Sequence, residues 1–126
     1  MEPSELPLPA HVHKQPFDGG FEVELDRKSL AVLEAMRGEY KTAQMDIYTV
    51  ESEAQWPSLV DHYAKVLEAK GYKRRDDIIP PPEDSQQAVW YDHGWFNRQA
   101  VAVTLLSIPE DPSAPPLRFL VVVTGG

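Results

Sequence analysis

The sequence contains no cysteine. Disulfide staples, iron–sulfur clusters, cysteine-based zinc sites and thiol catalysis are therefore excluded. Glycine is scarce, seven in 126 residues, and nowhere takes the spacing of a phosphate-cradling or dinucleotide-binding loop. No serine sits in a Gly-x-Ser-x-Gly frame, which removes the strained elbow that exposes a hydrolase nucleophile. No stretch approaches the ~20 consecutive apolar residues of a membrane-spanning helix. Positive charge is also in deficit: 12 Lys+Arg face 20 Asp+Glu, a formal net charge of −8. Such a chain repels phosphate, so neither nucleic acid nor an anionic membrane is expected as a partner. The first residues have no basic start and no apolar core of a secretory signal, so the default expectation is a soluble, cytoplasmic protein.

What the chain does have is proline and apolar sequence. Of 12 prolines, four fall within residues 1–16, three at Pro80–Pro82, and four between Pro109 and Pro116. Proline fixes φ and removes a backbone donor, so these clusters mark a tail and two loops. Residues 1–20 lack any hydrophobic period and read as a flexible, Pro-rich tail. Residues 21–126 read as a single domain, and 42% apolar content is enough for a core without metal or disulfides.

Within that domain, Phe21–Asp26 alternates apolar and acidic residues and predicts a half-buried edge strand. Asp26 then caps a short helix over Arg27–Arg37, with Leu30, Leu33 and Met36 as its apolar stripe, a Leu25–Leu30 staple, and Gly38 as its left-handed stop. Ala43–Val50 predicts a second strand. Leu59, Val60, Tyr63, Val66 and Leu67 recur at helical spacing and predict the main helix, starting at Pro57 and ended by Gly71, with Ser52 and Gln55 resembling a capping box. Tyr72–Asp76, Gln87–Tyr91, Gln99–Ile108 and Leu117–Thr124 predict four further strands, the last two paired antiparallel around the Pro109–Pro116 loop. Leu117–Thr124 is apolar on both faces, which marks it as central or covered on both sides. The order β-α-β-α-β-β-β-β implies an α+β fold: a mostly antiparallel sheet of five to six strands with two helices packed on one face.

Chemistry-bearing residues are sparse. His11 and His13 form a His-x-His pair inside the expected tail; with His62 and His93 they show no metal-ligand spacing, so no metal and no cofactor is expected. Asp76–Asp77 and Glu83–Asp84 are adjacent acids, which point apart in a strand and are solvated in a loop. Lys70, Lys73, Arg74 and Arg75 make a small basic patch beside the end of the main helix, where they complement its dipole. The densest aromatic group is Trp90, Tyr91, Trp95 and Phe96, with His93 between and Arg98 after. Alternation puts Trp90 and Tyr91 on opposite faces, so at least one ring points away from the main core, while Trp90 or Tyr91 together with Phe96 can equally belong to that core. Large rings near a turn bury area at low entropic cost. Trp90, Tyr91, His93, Trp95, Phe96, Arg98 and Trp56 are therefore the candidate ligand or partner surface; no catalytic residue is assigned.

Two stretches carry resemblances. Asp46–Tyr72, through Tyr63, Leu67, Gly71 and Tyr72, resembles the strand–helix opening of many short bacterial domains. The same stretch looks like the β-α-β-β-β module of the glyoxalase/bleomycin-resistance superfamily, which implies a homodimer completing a cavity with His, Gln or Glu ligands on strands. Here the corresponding positions, Ala43, Met45, Ile47, Phe119, Val121 and Val123, are apolar, so the resemblance carries the shape and not the chemistry. Val123-Thr124-Gly125-Gly126 is similar to the diglycine tails of ubiquitin-like sulfur carriers. The leading expectation is a non-enzymatic binding or interaction domain whose partner is a protein or small molecule. A glyoxalase-like enzyme or sequestrant and a diglycine carrier are the alternatives. A homodimer through an exposed sheet edge stays open.

Overall fold

A computed structural model describes residues 2–14, 23–95, 98–109, 112–113 and 115–126. A 3-10 turn, Pro3–Glu5, precedes strand β1 (Val12–Lys14), helix α1 (Val23–Glu39), β2 (Ala43–Val50), helix α2 (Trp56–Glu68), β3 (Lys73–Arg74), β4 (Ser85–His93), β5 (Arg98–Ile108) and β6 (Leu117–Gly125). The strands form one six-stranded sheet in the order β1-β2-β6-β5-β4-β3, and every neighbouring pair is antiparallel. The α+β class and the antiparallel sheet are as the sequence implies. No helix among the described residues is long and apolar enough to cross a membrane.

The helices do not share a face. Alternate residues of β6 feed two separate cores: Leu120 and Val122 meet Leu59, Tyr63 and Leu67 of α2, whereas Phe119, Val121 and Val123 meet Val32, Leu33 and Met36 of α1. β5 does the same, with Val101, Val103 and Leu105 toward α2 and Ala100, Ala102 and Leu106 toward α1. A sheet whose central strands are apolar on both sides needs a helix on each, since every large side chain left in water forfeits about 1.5–3 kcal/mol. One-sided packing would have left the Val121 face bare.

Helix α1 begins earlier than the sequence suggests. Val23–Asp26 is its first turn and not a strand; Phe21 and Glu22 lie outside the described residues. The stripe that decides the matter is Leu25, Ser29, Val32, Met36 and then Tyr40, all buried. Leu30 is 47% exposed, so the expected staple and the Leu30 stripe are not formed. Ser29 is tolerated inside because its hydroxyl donates to the Leu25 carbonyl at 2.6 Å. Glu24 and Asp26 complement the positive end of the helix dipole. Gly38 lies within the helix and is no left-handed stop; Gly71 is the glycine with positive φ among those described.

At α2 the stop signal is formed as the sequence implies. Gly71 has φ +93°, its N–H donates to Glu68 O at 3.1 Å, and Tyr72 N–H donates to Leu67 O at 3.0 Å. This pair of bonds is a Schellman motif, and Tyr72 and Leu67 share the same core. At the other end the capping box is not made: Gln55 is the N-cap and offers no side-chain bond.

Part of the segment read as a tail belongs to the sheet. β1 pairs with β2, Val12 opposite Val50, and both Leu6 and Val12 are buried against the α2 side. His62 Nε2 lies 2.6 Å from Pro7 O, tying α2 to the same segment. Residues 15–20, with Gly19 and Gly20, lie outside the described residues.

Candidate binding site

The structure divides the aromatic group by face. Trp90 is fully sealed in the α2-side core, with the Arg74 guanidinium over its ring at 5.7 Å, and Trp56 packs partly buried against that core. Tyr91, one residue on, belongs to the α1 side. Trp95 stands in the turn between β4 and β5 and is 98% exposed. Phe96 lies outside the described residues. The seven candidate residues therefore do not form one surface: Trp90 and Trp56 are packing residues, while Tyr91, His93 and Arg98 gather on the α1 side.

What gathers them is Tyr40, which the aromatic pattern does not include. Tyr40 follows the end of α1, one turn beyond Met36, and its N–H donates to Met36 O at 2.9 Å. Its hydroxyl is 2.9 Å from His93 Nε2. The His93 ring lies 4.7 Å from that of Tyr91 and 6.0 Å from that of Tyr40. The Arg98 guanidinium sits over the Tyr40 ring at 5.3 Å, and register places His93 directly opposite Arg98. A signal for Tyr40 was present: it continues the Leu25, Ser29, Val32, Met36 spacing by one step, past the glycine read as a stop.

Burial raises the Tyr40 pKa, so its hydroxyl keeps its proton and donates to Nε2. Burial, then the nearby Arg98 and Arg75 cations, push the His93 pKa down. Both effects favour a neutral imidazole that accepts from Tyr40 through Nε2 and carries its own proton on Nδ1.

Close approach of α1 to the sheet end depends on Gly125. This residue ends β6, opposite Ala43 on one side and Ala100 on the other. A Cβ there would lie 2.7 Å from both Cγ and Sδ of Met36 and 3.0 Å from Tyr40 Cδ2. Only glycine lets Met36 and Tyr40 rest on the strand. Gly126 is anchored as well: its N–H donates to Thr42 O at 3.0 Å, and Thr42 Oγ1 donates to Gly126 O at 2.6 Å.

Beside this contact opens a cavity of about 550 Å³, where the end of α1 meets the starts of β2 and β5 and the end of β6. Tyr40, Lys41, Thr42, Arg98, Gln99 and Gly125 are among its lining residues. Among the charged side chains at its walls, Lys41 and Arg98 outnumber Glu39. Arg98 is only loosely committed, its Nη1 reaching Glu39 O at 3.5 Å. By contrast, the two arginines of the basic patch after α2 are paired internally: Arg74 with Asp76 and Arg75 with Asp77, both within 2.9 Å.

No family model, no curated protein and no solved structure matches the chain.

Proposed function

We propose that the chain is a non-enzymatic binding domain whose ligand enters the cavity at the end of α1. The reading rests on one observation above all: Trp95, almost wholly exposed, occupies the turn that joins His93 to cavity-lining Arg98. A tryptophan left in water costs burial energy that a partner would recover. The volume suits a small organic molecule or a few side chains of a partner. Lys41 and Arg98 favour an acidic group on that ligand, and the Tyr40 ring supplies an apolar wall.

A library of small carboxylates carrying an aromatic or aliphatic portion, screened by amide chemical shifts, tests this. Ligands should move the amides of Lys41, Thr42 and Gln99, and Arg98→Ala should weaken them about tenfold. Shifts confined to another surface, or affinity unchanged in Arg98→Ala, would remove the reading. Turnover of a bound ligand, lost on changing Tyr40 or His93, would assign an enzyme instead.

A further inference from the structure

His11 and His13 are brought into one edge cluster. His11 stands just before β1 in the left-handed region, with φ +67°, and His13 lies within the strand, while Val12 between them turns into the core. The β1–β2 register sets Val12 opposite Val50 and His13 opposite Thr49, and Glu51 N–H donates to His11 O at 2.9 Å. Glu51 thus stands across from His11. Its Oε2 is 3.1 Å from His11 Nδ1 and 3.0 Å from His13 Nε2. Glu53 lies beside them: ligand atoms of His11, Glu51 and Glu53 are all within 4.8 Å of one another. Arg118 donates to Glu51 O at 3.2 Å and to Ala54 O at 2.8 Å, pinning the backbone that carries both glutamates.

We propose that His11, His13, Glu51 and Glu53 form a binding site for a divalent transition-metal ion of the zinc class. Two imidazole nitrogens and two carboxylates are donors that suit zinc, whereas magnesium and calcium take oxygen alone. The two carboxylates balance a dipositive ion. Spacing agrees for the contacts to Glu51, whereas His13 lies outside the trio of mutually close ligand atoms and swings toward it to complete the shell. Four ligands at about 2.0–2.1 Å around a tetrahedral centre stand about 3.3–3.4 Å apart. The His11–Glu51 and His13–Glu51 separations are already within a few tenths of an ångström of that. Entry of the ion replaces two N–H···O contacts by metal bonds, each proton leaving to solvent or shifting to the other ring nitrogen. The site bridges β1 and the segment after β2, so the ion clamps the short edge strand to the sheet.

Zinc chloride titrated calorimetrically into untagged protein tests the site, with cobalt as a spectroscopic stand-in. One ion per chain is expected, with His11→Ala, His13→Ala and Glu51→Gln each weakening it about tenfold or more. His62→Ala, whose ring sits against Pro7 on the other side of the sheet, should bind as the parent does. Zinc should raise the thermal midpoint of the parent and not of the His11→Ala/His13→Ala double variant, and magnesium should do neither. Cobalt should give the intense visible bands of a four-coordinate centre. No zinc binding tighter than about 1 mM, or equal affinity in the three single variants, would overturn the proposal. All three side chains are exposed, so the variants should fold, and their zinc-free melting curves check that they do.

Discussion

Gly125 and Met36 approach so closely that no side chain fits between them: a Cβ on the glycine would lie 2.7 Å from two Met36 atoms. One residue further, the same addition at Gly126 meets nothing nearer than Gln99 Cγ at 3.6 Å. Two adjacent glycines of identical local sequence character therefore have different tasks.

Gly125→Ala is expected to cost about 1–3 kcal/mol, the range for overpacking a filled core, with Met36 flexible enough to keep it from the upper end. Gly126→Ala should stay within about 0.5 kcal/mol. Urea midpoints of the two variants measure the contrast. Met36→Ala combined with Gly125→Ala should lose less than the sum of the single losses, because the truncation makes the room the methyl needs.

The α2-side core holds two buried polar atoms, Tyr63 Oη and Trp90 Nε1, without a hydrogen-bond partner among the described residues. Burial also drives the Tyr63 pKa well up. Tyr63→Phe should then be neutral or stabilising by up to about 1 kcal/mol, since it removes an unsatisfied hydroxyl and keeps the ring. Tyr63→Ala should cost about 3–5 kcal/mol. Thermal denaturation distinguishes the pair; a large loss in Tyr63→Phe would mean that the hydroxyl has a partner.

Asp76 offers a pH test. Burial raises its pKa, but bonds from Arg74 and from the Val89 N–H outweigh this and leave it lowered. A carboxyl with a depressed folded pKa stabilises above its unfolded value, about 3.9, and loses that contribution as pH falls through the folded value. Asp76→Asn should therefore be less stable than the parent at neutral pH, and the gap should close in acid. Urea unfolding of both proteins across that window reads it.

His93 should titrate below the ordinary histidine range, and Tyr40→Phe should raise its pKa by removing the donor to Nε2. The sign for stability is opposite to that of Asp76 in cause but similar in direction. Protonation is harder in the folded state, so stability falls as pH drops below about 6.5, where the unfolded imidazole takes up its proton. Ring-carbon shifts followed by NMR report the pKa in each protein.

Much of the architecture is legible along the chain. Ala43–Val50 is a strand over those very residues, Gly71 ends α2, and the Pro109–Pro116 segment joins two antiparallel partners. These features depend on alternation, on glycine's freedom at positive φ and on proline's missing donor, all of which act between near neighbours. Val23–Asp26, the described part of the expected first strand, resisted the same reading because so short an alternation fits either a strand or a helix's first turn. The outcome turned on whether Leu25 joins Val32 and Met36, which is a matter of what lies opposite them.

The candidate surface shows the same division. An aromatic-rich turn follows from residue order alone, as does the opposition of Trp90 and Tyr91, whereas the exposure of Trp95 is seen only in the folded chain. The parts that bring chemistry together join distant segments: Tyr40 to His93, Met36 to Gly125, His11 and His13 to Glu51. So do the burial of Leu6 and Val12 and the placing of one helix on each side of the sheet. Short-range steric and hydrogen-bonding preferences are written into neighbouring residues. Which apolar faces and polar groups finally meet is decided only when the chain closes on itself, because burial rewards any surface that fits and carries no label for its partner.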